Sequence, residues 1–316
     1  MELVTIDDIR TAARQVAGHV VRTPLLEASW GDPDRPLWVK PESLQPIGAF
    51  KVRGAFNAIG ALIAGSDPVS GVVAYSSGNH AQAVAYAAAV YGLPAHIVMP
   101  EETPAVKIDA TRRHGARVVL CAAGQREIVA EQVAAETGAV MIPPFDHPGV
   151  IAGQGTIGLE IAEDLPEVRS VFVPVSGGGL ASGIGTAIKA LCPRAVVIGV
   201  EPELAADTAE GLAQGRRVDW PITDRNRTIA DGLRSQPSEL TFAHLQNVLD
   251  EIVTVSEAEI RSGVRELAFR ARLVAEPSGA VALAGYRKVA APAGPAVVIL
   301  SGGNVAPEML GQILSG

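Results

Sequence analysis

The chain has 316 residues, of which 48% are hydrophobic and 19% are charged, and its formal net charge is −8. This length predicts two domains, or one large α/β unit with an inserted lobe. A negative charge without any basic block argues against a nucleic-acid partner. The longest stretches without charged residues are all interrupted by Gly, Pro, Ser or Asn, so we expect no membrane span.

The cysteines and the first residues of the chain bear on its location. Cys121 and Cys192 are the only cysteines and lie far apart in sequence, which fits a reducing compartment better than a disulfide scaffold. The first 15 residues are polar and lack the apolar core of a signal peptide. We therefore expect a cytoplasmic protein.

Strands and helices are predicted to alternate along most of the chain. Predicted strands cover residues 37–40, 71–75, 95–99, 117–121, 140–142, 171–175, 195–200, 251–255 and 296–300. Predicted helices cover 6–16, 52–64, 81–91, 103–114, 125–137, 153–165, 181–191 and 256–272, and another opens at Glu276. Ser256 and Glu259 form a capping box at one helix start, and residues 211–234 are expected to be irregular. Such alternation predicts right-handed βαβ units and parallel sheets.

Lys51 lies between a Pro/Gly-rich turn and the predicted helix 52–64, with Ala49, Phe50 and Val52 as apolar neighbours. Burial lowers the pKa of a lysine because it disfavours the charged form, and a neutral amine attacks a carbonyl to form a Schiff base. Only five of the 26 basic residues are lysines, so Lys51 has few rivals. The alternative interpretation is a surface lysine at a helix start.

Four polar or glycine-rich turns follow predicted strands, at residues 76–80, 176–179, 201–207 and 301–304. Ligands of open parallel sheets bind outside the carboxyl ends of the strands. The turn at 176–179 presents backbone N–H groups at a helix N-terminus, which predicts a phosphate site. It lacks the P-loop pattern and the dinucleotide fingerprint. Tight helix–sheet packing is the alternative explanation of the glycine run.

The turn at residues 76–80 is a second helix start, with two hydroxyls and free amides that suit a carboxylate. A simple N-cap cluster is the alternative. A phosphate cradle, a carboxylate cradle and one secluded lysine together predict pyridoxal phosphate acting on an amino acid.

Several motifs carry a family resemblance that runs from Thr23-Pro24-Leu25 almost to the end of the chain. They are Phe50-Lys51-Val52-Arg53-Gly54-Ala55, Ser76-Ser77-Gly78-Asn79-His80, Ile151-Ala152-Gly153-Gln154-Gly155-Thr156-Ile157-Gly158, Ser176-Gly177-Gly178-Gly179-Leu180 and Ser301-Gly302-Gly303-Asn304. With these motifs the chain resembles the fold type II pyridoxal-phosphate enzymes of the threonine/serine dehydratase and serine racemase family.

The resemblance implies a two-lobed α/β fold of the tryptophan synthase β type. Residues 1–64 and 147–316 would form a large cofactor-binding domain around a parallel sheet. Residues 65–146 would form a smaller inserted α/β domain that gates the substrate. We also expect a homodimer. The chain ends at Gly316 without a C-terminal regulatory domain, so feedback control by isoleucine is not expected.

The resemblance also implies a role for each motif residue. Lys51 would bind the cofactor covalently and remove the Cα proton, and Ser77 would be the acid/base on the opposite ring face. Asn79 would contact the ring hydroxyl and Ser301 the pyridine nitrogen. The expected cofactor-binding residues are Phe50, Lys51, Asn79, Ser176, Gly177, Gly178, Gly179, Leu180, Ser301 and Gly302. The expected substrate-binding residues are Ser76, Ser77, Gly78, Asn79, His80 and Arg126.

Two positions depart from the family pattern. Ala49 stands where a serine is frequent, and Ser176 stands where a glycine is common. Neither change disturbs the main assignment.

The segment from Glu201 to Asp207 resembles the divalent-cation site of the family. The carboxylates of Glu201 and Asp207 and the carbonyl of Ala205, completed by waters, suit Mg²⁺ or Ca²⁺. The alternative is a solvated acidic turn.

The expected activity is elimination of water from L-threonine or L-serine to a 2-oxo acid and ammonia. The alternatives in the same family are a serine racemase and a 3-hydroxyaspartate ammonia-lyase. An arginine at position 126 resembles serine racemase and the 3-hydroxyaspartate dehydratases more than simple threonine dehydratases, and a guanidinium can bind a second carboxylate with two charge-assisted bonds. The alternative is a solvated arginine at a helix start. Two further alternatives remain. One is a β-replacement enzyme of the cysteine synthase type, and the other is a catalytically silent ligand-binding protein on the same fold.

Overall fold

The computed structural model of the protein describes residues 2–316, which form two β-sheets flanked by helices. Six strands build the larger sheet in the order β1-β2-β10-β7-β8-β9, and four build the smaller one in the order β5-β4-β3-β6. The strands are β1 (Leu26–Asp32), β2 (Arg35–Pro41), β3 (Val72–Tyr75), β4 (Ala95–Pro100), β5 (Arg117–Cys121), β6 (Val140–Met141), β7 (Ser170–Pro174), β8 (Val196–Pro202), β9 (Glu251–Val255) and β10 (Ala296–Leu300).

Helices connect and cover these strands. They are α1 (Ile6–Val16), α2 (Lys51–Ala64), α3 (Asn79–Val90), α4 (Ala105–Arg112), α5 (Arg126–Thr137), α6 (Pro148–Asp164), α7 (Gly179–Leu191), α8 (Asp207–Gln214), α9 (Ile222–Arg225), α10 (Glu239–Val248), α11 (Glu257–Glu266), α12 (Pro277–Lys288) and α13 (Pro307–Ser315). No helix within residues 2–316 combines the length and the apolar character that a membrane crossing needs.

Apolar side chains fill both faces of the larger sheet, as expected for strands covered by helices on two sides. On one face, Phe172 of β7 and Val298 of β10 pack with α12. On the other face, Val171 and Val173 of β7 pack with residues of α6 and α7. The strand ends therefore emerge between helix layers, which is where the polar turns lie.

All strand pairs are parallel except β1 with β2, which pair antiparallel at one edge of the larger sheet. The smaller sheet takes all its strands from residues 72–141. An ion pair joins the two sheet-bearing units, in which Lys107 Nζ of α4 lies 2.9 Å from Asp231 Oδ2. The division of the chain into domains at residues 64/65 and 146/147 remains a prediction.

The nine predicted strands and the parallel sheets are confirmed, and so is the capping box at Ser256. Several predictions are wrong. Strand β1 and helices α10 and α13 were not expected, and the supposedly irregular stretch 211–234 contains the end of α8 and all of α9. The helix predicted over 256–272 ends as α11 at Glu266 and continues as a π-helical turn, Leu267–Ala271.

Candidate active site

Lys51 is the first residue of α2 and points its amine into the protein. Its Nζ donates to the carbonyl oxygen of Pro144 at 2.7 Å. Part of the side chain remains exposed, yet dense packing around the amine lowers its pKa to about 8. No carboxylate within residues 2–316 lies within 4 Å of this amine. A large fraction of Lys51 is therefore neutral near pH 8, which is the form that acts as a nucleophile or base.

His80 follows the start of α3 and is buried beside this lysine. Its Nε2 lies 2.8 Å from the carbonyl oxygen of Ile142, so Nε2 carries the proton. Burial and the neighbouring charge of Lys51 lower the pKa of His80 to about 3, and the ring is neutral. The Nε2–H group is bonded to Ile142 and Nδ1 of the neutral ring can only accept, so a substrate carboxylate would contact the backbone N–H of His80. That assignment stays a prediction.

The glycine-rich turn after β7 begins helix α7. Gly178 is the N-cap residue with φ of +87°, a left-handed conformation that favours glycine. A side chain on Gly177 would overlap the ring of Phe145. The first-turn N–H groups of a helix have no partner within the helix. The turn is therefore closely packed and needs glycine, and its backbone N–H groups suit an anion such as a phosphate.

Ser176 at the start of this turn directs its hydroxyl elsewhere. The Oγ atom donates to the carbonyl oxygen of Ser235 at 2.9 Å and accepts from the Ser235 amide at 3.0 Å. The serine that replaces the usual glycine therefore ties the turn to a neighbouring loop. Its assignment as a cofactor ligand stays a prediction.

The last polar turn, after β10, lies against the segment that leads into Lys51. Ala49 and Gly302 form an isolated bridge, and the Phe50 amide donates to the Ser301 carbonyl at 3.0 Å. A side chain on Gly302 would overlap the carboxyl group of Glu276. The approach to Glu276 requires glycine at position 302, and the bonds of Ala49 and Phe50 place Ser301 and Gly302 next to the segment that leads into Lys51.

Asn79, at the start of α3, is held from both ends of its amide. Its Nδ2 donates to Glu276 Oε1 at 2.7 Å, and its Oδ1 accepts from Asn304 Nδ2 at 2.7 Å. Asn304 Nδ2 also donates to the Ile47 carbonyl at 2.8 Å, which fixes the direction of the whole chain of bonds. One N–H of Asn79 remains available for a ligand.

The Glu276 carboxyl group is buried, and burial together with the charge of Asp231 raises its pKa to about 8. It is therefore mostly protonated at neutral pH. Pro144, Phe145 and Glu276 all contact the site, yet none of them was among the predicted site residues. Pro144 and Phe145 follow a predicted strand, and Glu276 opens a predicted helix. Their positions at the ends of predicted elements were the only features of the sequence that could have indicated a role in the site.

The remaining predicted substrate contacts lie on the smaller sheet. Ser76, Ser77 and Gly78 are partly buried, and Ser76 Oγ accepts from the Gly78 amide at 3.2 Å. The Arg126 guanidinium lies 5.8 Å from the centre of the Tyr75 ring, directly before this turn. Its side chain is 39% exposed. Arg126 thus lies beside the residue that precedes the turn and remains partly exposed to solvent.

Glu201 and Asp207 form a buried acidic pair beyond the end of β8. Glu201 accepts backbone N–H groups from Thr208 and Ala209 at 3.3 and 2.8 Å, while Asp207 Oδ2 is buried without a partner in residues 2–316. Burial and the Asp207 charge raise the pKa of Glu201 to about 8, and burial raises that of Asp207 to about 6. An unpaired buried oxygen beside a second carboxylate, with the Ala205 carbonyl between them in sequence, fits a hard divalent cation.

Comparison with known proteins agrees with this geometry. Residues 16–302 match the family described as pyridoxal-phosphate dependent enzymes. The chain is 41% identical to an L-threonine ammonia-lyase of Thermotoga maritima over 99% of this chain and 79% of the relative. It is 39% identical to an L-threo-3-hydroxyaspartate ammonia-lyase of Saccharomyces cerevisiae over 100% of this chain and 98% of the relative.

A solved structure shows the same similarity in three dimensions. Maize serine racemase superimposes with a TM-score of 0.92 and 38% identity over 99% of this chain and 98% of that chain. The three relatives carry three different activities on one scaffold, so the scaffold alone does not choose among them.

Proposed function

The chain belongs to the family of pyridoxal-phosphate dependent enzymes, and we propose that it is an ammonia-lyase that eliminates water from L-threonine and L-serine. The products are a 2-oxo acid and ammonia. The observation that carries the proposal is the Lys51 amine, whose pKa is about 8 and which has no anionic partner. A chain that kept this fold for packing alone would gain nothing from a lysine whose amine is packed inside the protein without a counter-charge.

When bound, pyridoxal phosphate supplies an electron sink that acidifies the Cα–H bond of an amino acid. The amides of Gly177 to Leu180 would hold its phosphate, and Asn79 would donate to its ring hydroxyl. Glu276 and Asn304 would orient the Asn79 amide. Ser301 would meet the pyridine nitrogen as a neutral partner.

Lys51 would accept the Cα proton on one face of the substrate, since its amine is neutral in part at physiological pH. A serine at position 301 does not hold a proton on the ring nitrogen as an aspartate would. The cofactor would then be a weaker electron sink, which would favour substrates that lose a β-hydroxyl group promptly. This supports elimination as the main reaction.

Ser77 would lie on the opposite face and exchange a proton with Cα there, which would give racemisation as a second activity. The Ser77→Ala variant separates the two reactions. Racemisation is expected to disappear, while elimination from L-serine through Lys51 continues in part. Chiral chromatography of serine with a keto-acid assay measures both; D-serine formation at the parent rate would exclude Ser77.

The 3-hydroxyaspartate ammonia-lyase reaction is the second candidate, favoured by Arg126 beside the turn that would bind the substrate. If Arg126 binds a β-carboxylate, Arg126→Ala lowers kcat/KM for 3-hydroxyaspartate about ten- to hundredfold, the factor for one hydrogen bond to a charged group. The value for threonine should change far less. Arg112→Ala, an exposed arginine of α4, is the matched control. Equal losses on both substrates would leave Arg126 without this role.

Glu201, Ala205 and Asp207 would bind Mg²⁺ or Ca²⁺ outside the reacting centre. The active form is proposed to be a homodimer in the cytoplasm. Sedimentation of the purified protein measures its assembly.

The proposed function has a direct test. Purified protein reconstituted with pyridoxal phosphate is assayed for keto-acid formation with threonine, serine and 3-hydroxyaspartate, and for sulfide-dependent product from O-acetylserine. Elimination from a β-hydroxy amino acid is expected. Product only from O-acetylserine would make the chain a β-replacement enzyme. A protein without the visible absorbance of bound cofactor would be a silent member of the fold.

A further inference from the structure

Gln154 of α6 is a buried polar residue that has no assigned role in the fold or in the proposed mechanism. Its side chain is fully buried, and neither Nε2 nor Oε1 has a hydrogen-bond partner within residues 2–316. Burying an amide without partners is costly, and native structures almost always satisfy such groups with protein, water or ligand. An unpaired amide at this depth therefore points to a partner outside the chain.

The position of Gln154 indicates which partner that is. A methyl group placed on Gly179, the first residue of α7, would lie 3.0 Å from Gln154 Oε1. A methyl group on Gly54, one turn beyond Lys51 in α2, would lie 3.2 Å from Gln154 Nε2. The carboxamide thus lies between the helix start that suits an anion and the helix that carries the reactive amine.

We propose that the Gln154 carboxamide is a further cofactor-binding group, which donates to the phosphate at the start of α7, directly or through one water. This inference rests on the proposed function, because it requires pyridoxal phosphate at the site. A phosphate dianion only accepts hydrogen bonds, so it selects the amide orientation with Nε2 toward Gly179. The two orientations of an amide have nearly the same shape, so the bound anion decides between them.

The proposal makes two predictions of opposite sign for Gln154→Met, which keeps the length of the side chain and removes its polar atoms. Without cofactor the variant is expected to melt at a higher temperature than the parent, because an unsatisfied buried amide is gone. With cofactor it is expected to bind pyridoxal phosphate about ten- to hundredfold more weakly, the equilibrium factor for one hydrogen bond to a charged group.

Gln45 offers a matched control, since it is equally buried but fully bonded. Its Nε2 donates to the Val21 carbonyl at 2.8 Å and to Glu42 at 3.1 Å, and its Oε1 accepts from the Val21 amide at 3.0 Å. Gln45→Met should lower the melting temperature of the cofactor-free protein and leave cofactor affinity unchanged.

The experiment uses full-length protein freed of cofactor by dialysis against hydroxylamine. Fluorescence titration gives the Kd for pyridoxal phosphate and for pyridoxal, which lacks the phosphate, and melting is followed with and without inorganic phosphate. In Gln154→Met, only the affinity for pyridoxal phosphate should fall, and stabilisation by inorganic phosphate should shrink. Equal affinities in parent and variant, or equal losses for both ligands, would overturn the inference.

Two further results separate the possible failures. A parent protein that binds no pyridoxal phosphate would overturn the proposed function itself, whereas normal parent binding with an unaffected variant overturns only the role of Gln154. If Gln154→Met does not fold, Gln154→Glu keeps the shape and places a carboxyl group near the phosphate. It should weaken binding of pyridoxal phosphate and not of pyridoxal; unchanged binding would again refute the proposal.

Discussion

Lys51 and Arg53 stand on the first turn of the same helix and have opposite electrostatic surroundings. Arg53 is fully buried and lies within hydrogen-bond distance of Glu42 and Glu160, with N···O distances of 2.7 and 2.6 Å. Lys40 pairs with Glu160 at 2.6 Å in the same cluster. Lys51 contacts only a carbonyl oxygen. Near Arg53, two cations and two anions neutralise one another. Lys51 instead presents a single amine without a counter-charge to the candidate site.

The charges of Glu42 and Arg53 stabilise each other. Burial by itself raises the pKa of Glu42, but the Arg53 charge and its hydrogen bonds hold that pKa below its ordinary value. Glu201 and Asp207 have no such cation within salt-bridge distance in residues 2–316, and their pKa values rise instead. Paired buried charges thus mark where the chain fixes its own architecture, and unpaired ones mark where a ligand is expected.

The largest expected effect comes from removing the unpaired lysine. Lys51→Ala should lower kcat by more than about 10³-fold, because it removes the amine that we propose binds the cofactor and moves the Cα proton. It should fold normally, since no ion pair is broken. Lys40→Met is the comparison: activity should persist, and unfolding should become easier because Glu160 loses a partner. Parent-like turnover in Lys51→Ala, measured by keto-acid release, would refute the assignment.

The next effect concerns the paired arginine. Arg53→Met leaves Glu42 without its main counter-charge and should lower the free energy of unfolding by about 3–5 kcal/mol. Arg22→Ala breaks an exposed pair with Glu163 and Asp164 and should cost about 1 kcal/mol or less. Urea denaturation of both variants measures the difference. If both variants lost a similar free energy of unfolding, the buried ion pairs of Arg53 would be no more important for stability than the exposed pairs of Arg22.

The smallest effect is a pH dependence at the acidic pair. The pKa of Glu201 is about 8 in the native state and 4.5 ordinarily, so the native state binds more protons between these values. Stability without metal should therefore fall as pH rises through this window. At the proposed metal site, Mg²⁺ or Ca²⁺ would bind the ionised form, so stabilisation by the metal should grow with pH over the same range.

Glu201→Gln should flatten this pH profile and remove the metal effect. Part of the slope will remain, because Glu276 also has a pKa of about 8. Glu203→Gln, which removes an exposed carboxylate bonded to Lys288, is the control and should change neither. Melting curves from pH 5 to 8.5 with chelator or metal measure both effects; a metal response retained by Glu201→Gln would place the cation elsewhere.

Much of the fold was predictable because buried parallel strands are short apolar runs between turn residues, as in β7 and β10. Strand β1 was missed because apolar and polar residues are mixed without a clear period in Leu26–Asp32. The strand is held in place by its pairing with β2. Helix α10 was missed although its capping box, Ser238 with Thr241, is a local signal. For β1, tertiary contacts outweigh local preference.

The site divides in the same way. Lys51 and the glycine turn at Gly177–Gly179 could be proposed as site residues from the sequence because each has a local chemical reason, and their roles stay predictions. The pairing of Asn79 with Glu276 joins residues 197 positions apart, and the sequence contains no signal for it. The sequence also does not reveal that Gln154 lacks hydrogen-bond partners. That property depends on which side chains of α2, α6 and α7 pack around it.

The ion pair between Lys107 and Asp231 has a consequence for how readily the two sheet-bearing units separate. Both side chains are well exposed, at 38% and 45%, so dissolved ions screen their attraction. The pair joins the unit that carries Ser77 to the unit that carries Ser301. Ionic strength should thus set how often the two units part, and amide hydrogen exchange at their boundary would quicken with added salt even when the melting temperature barely moves.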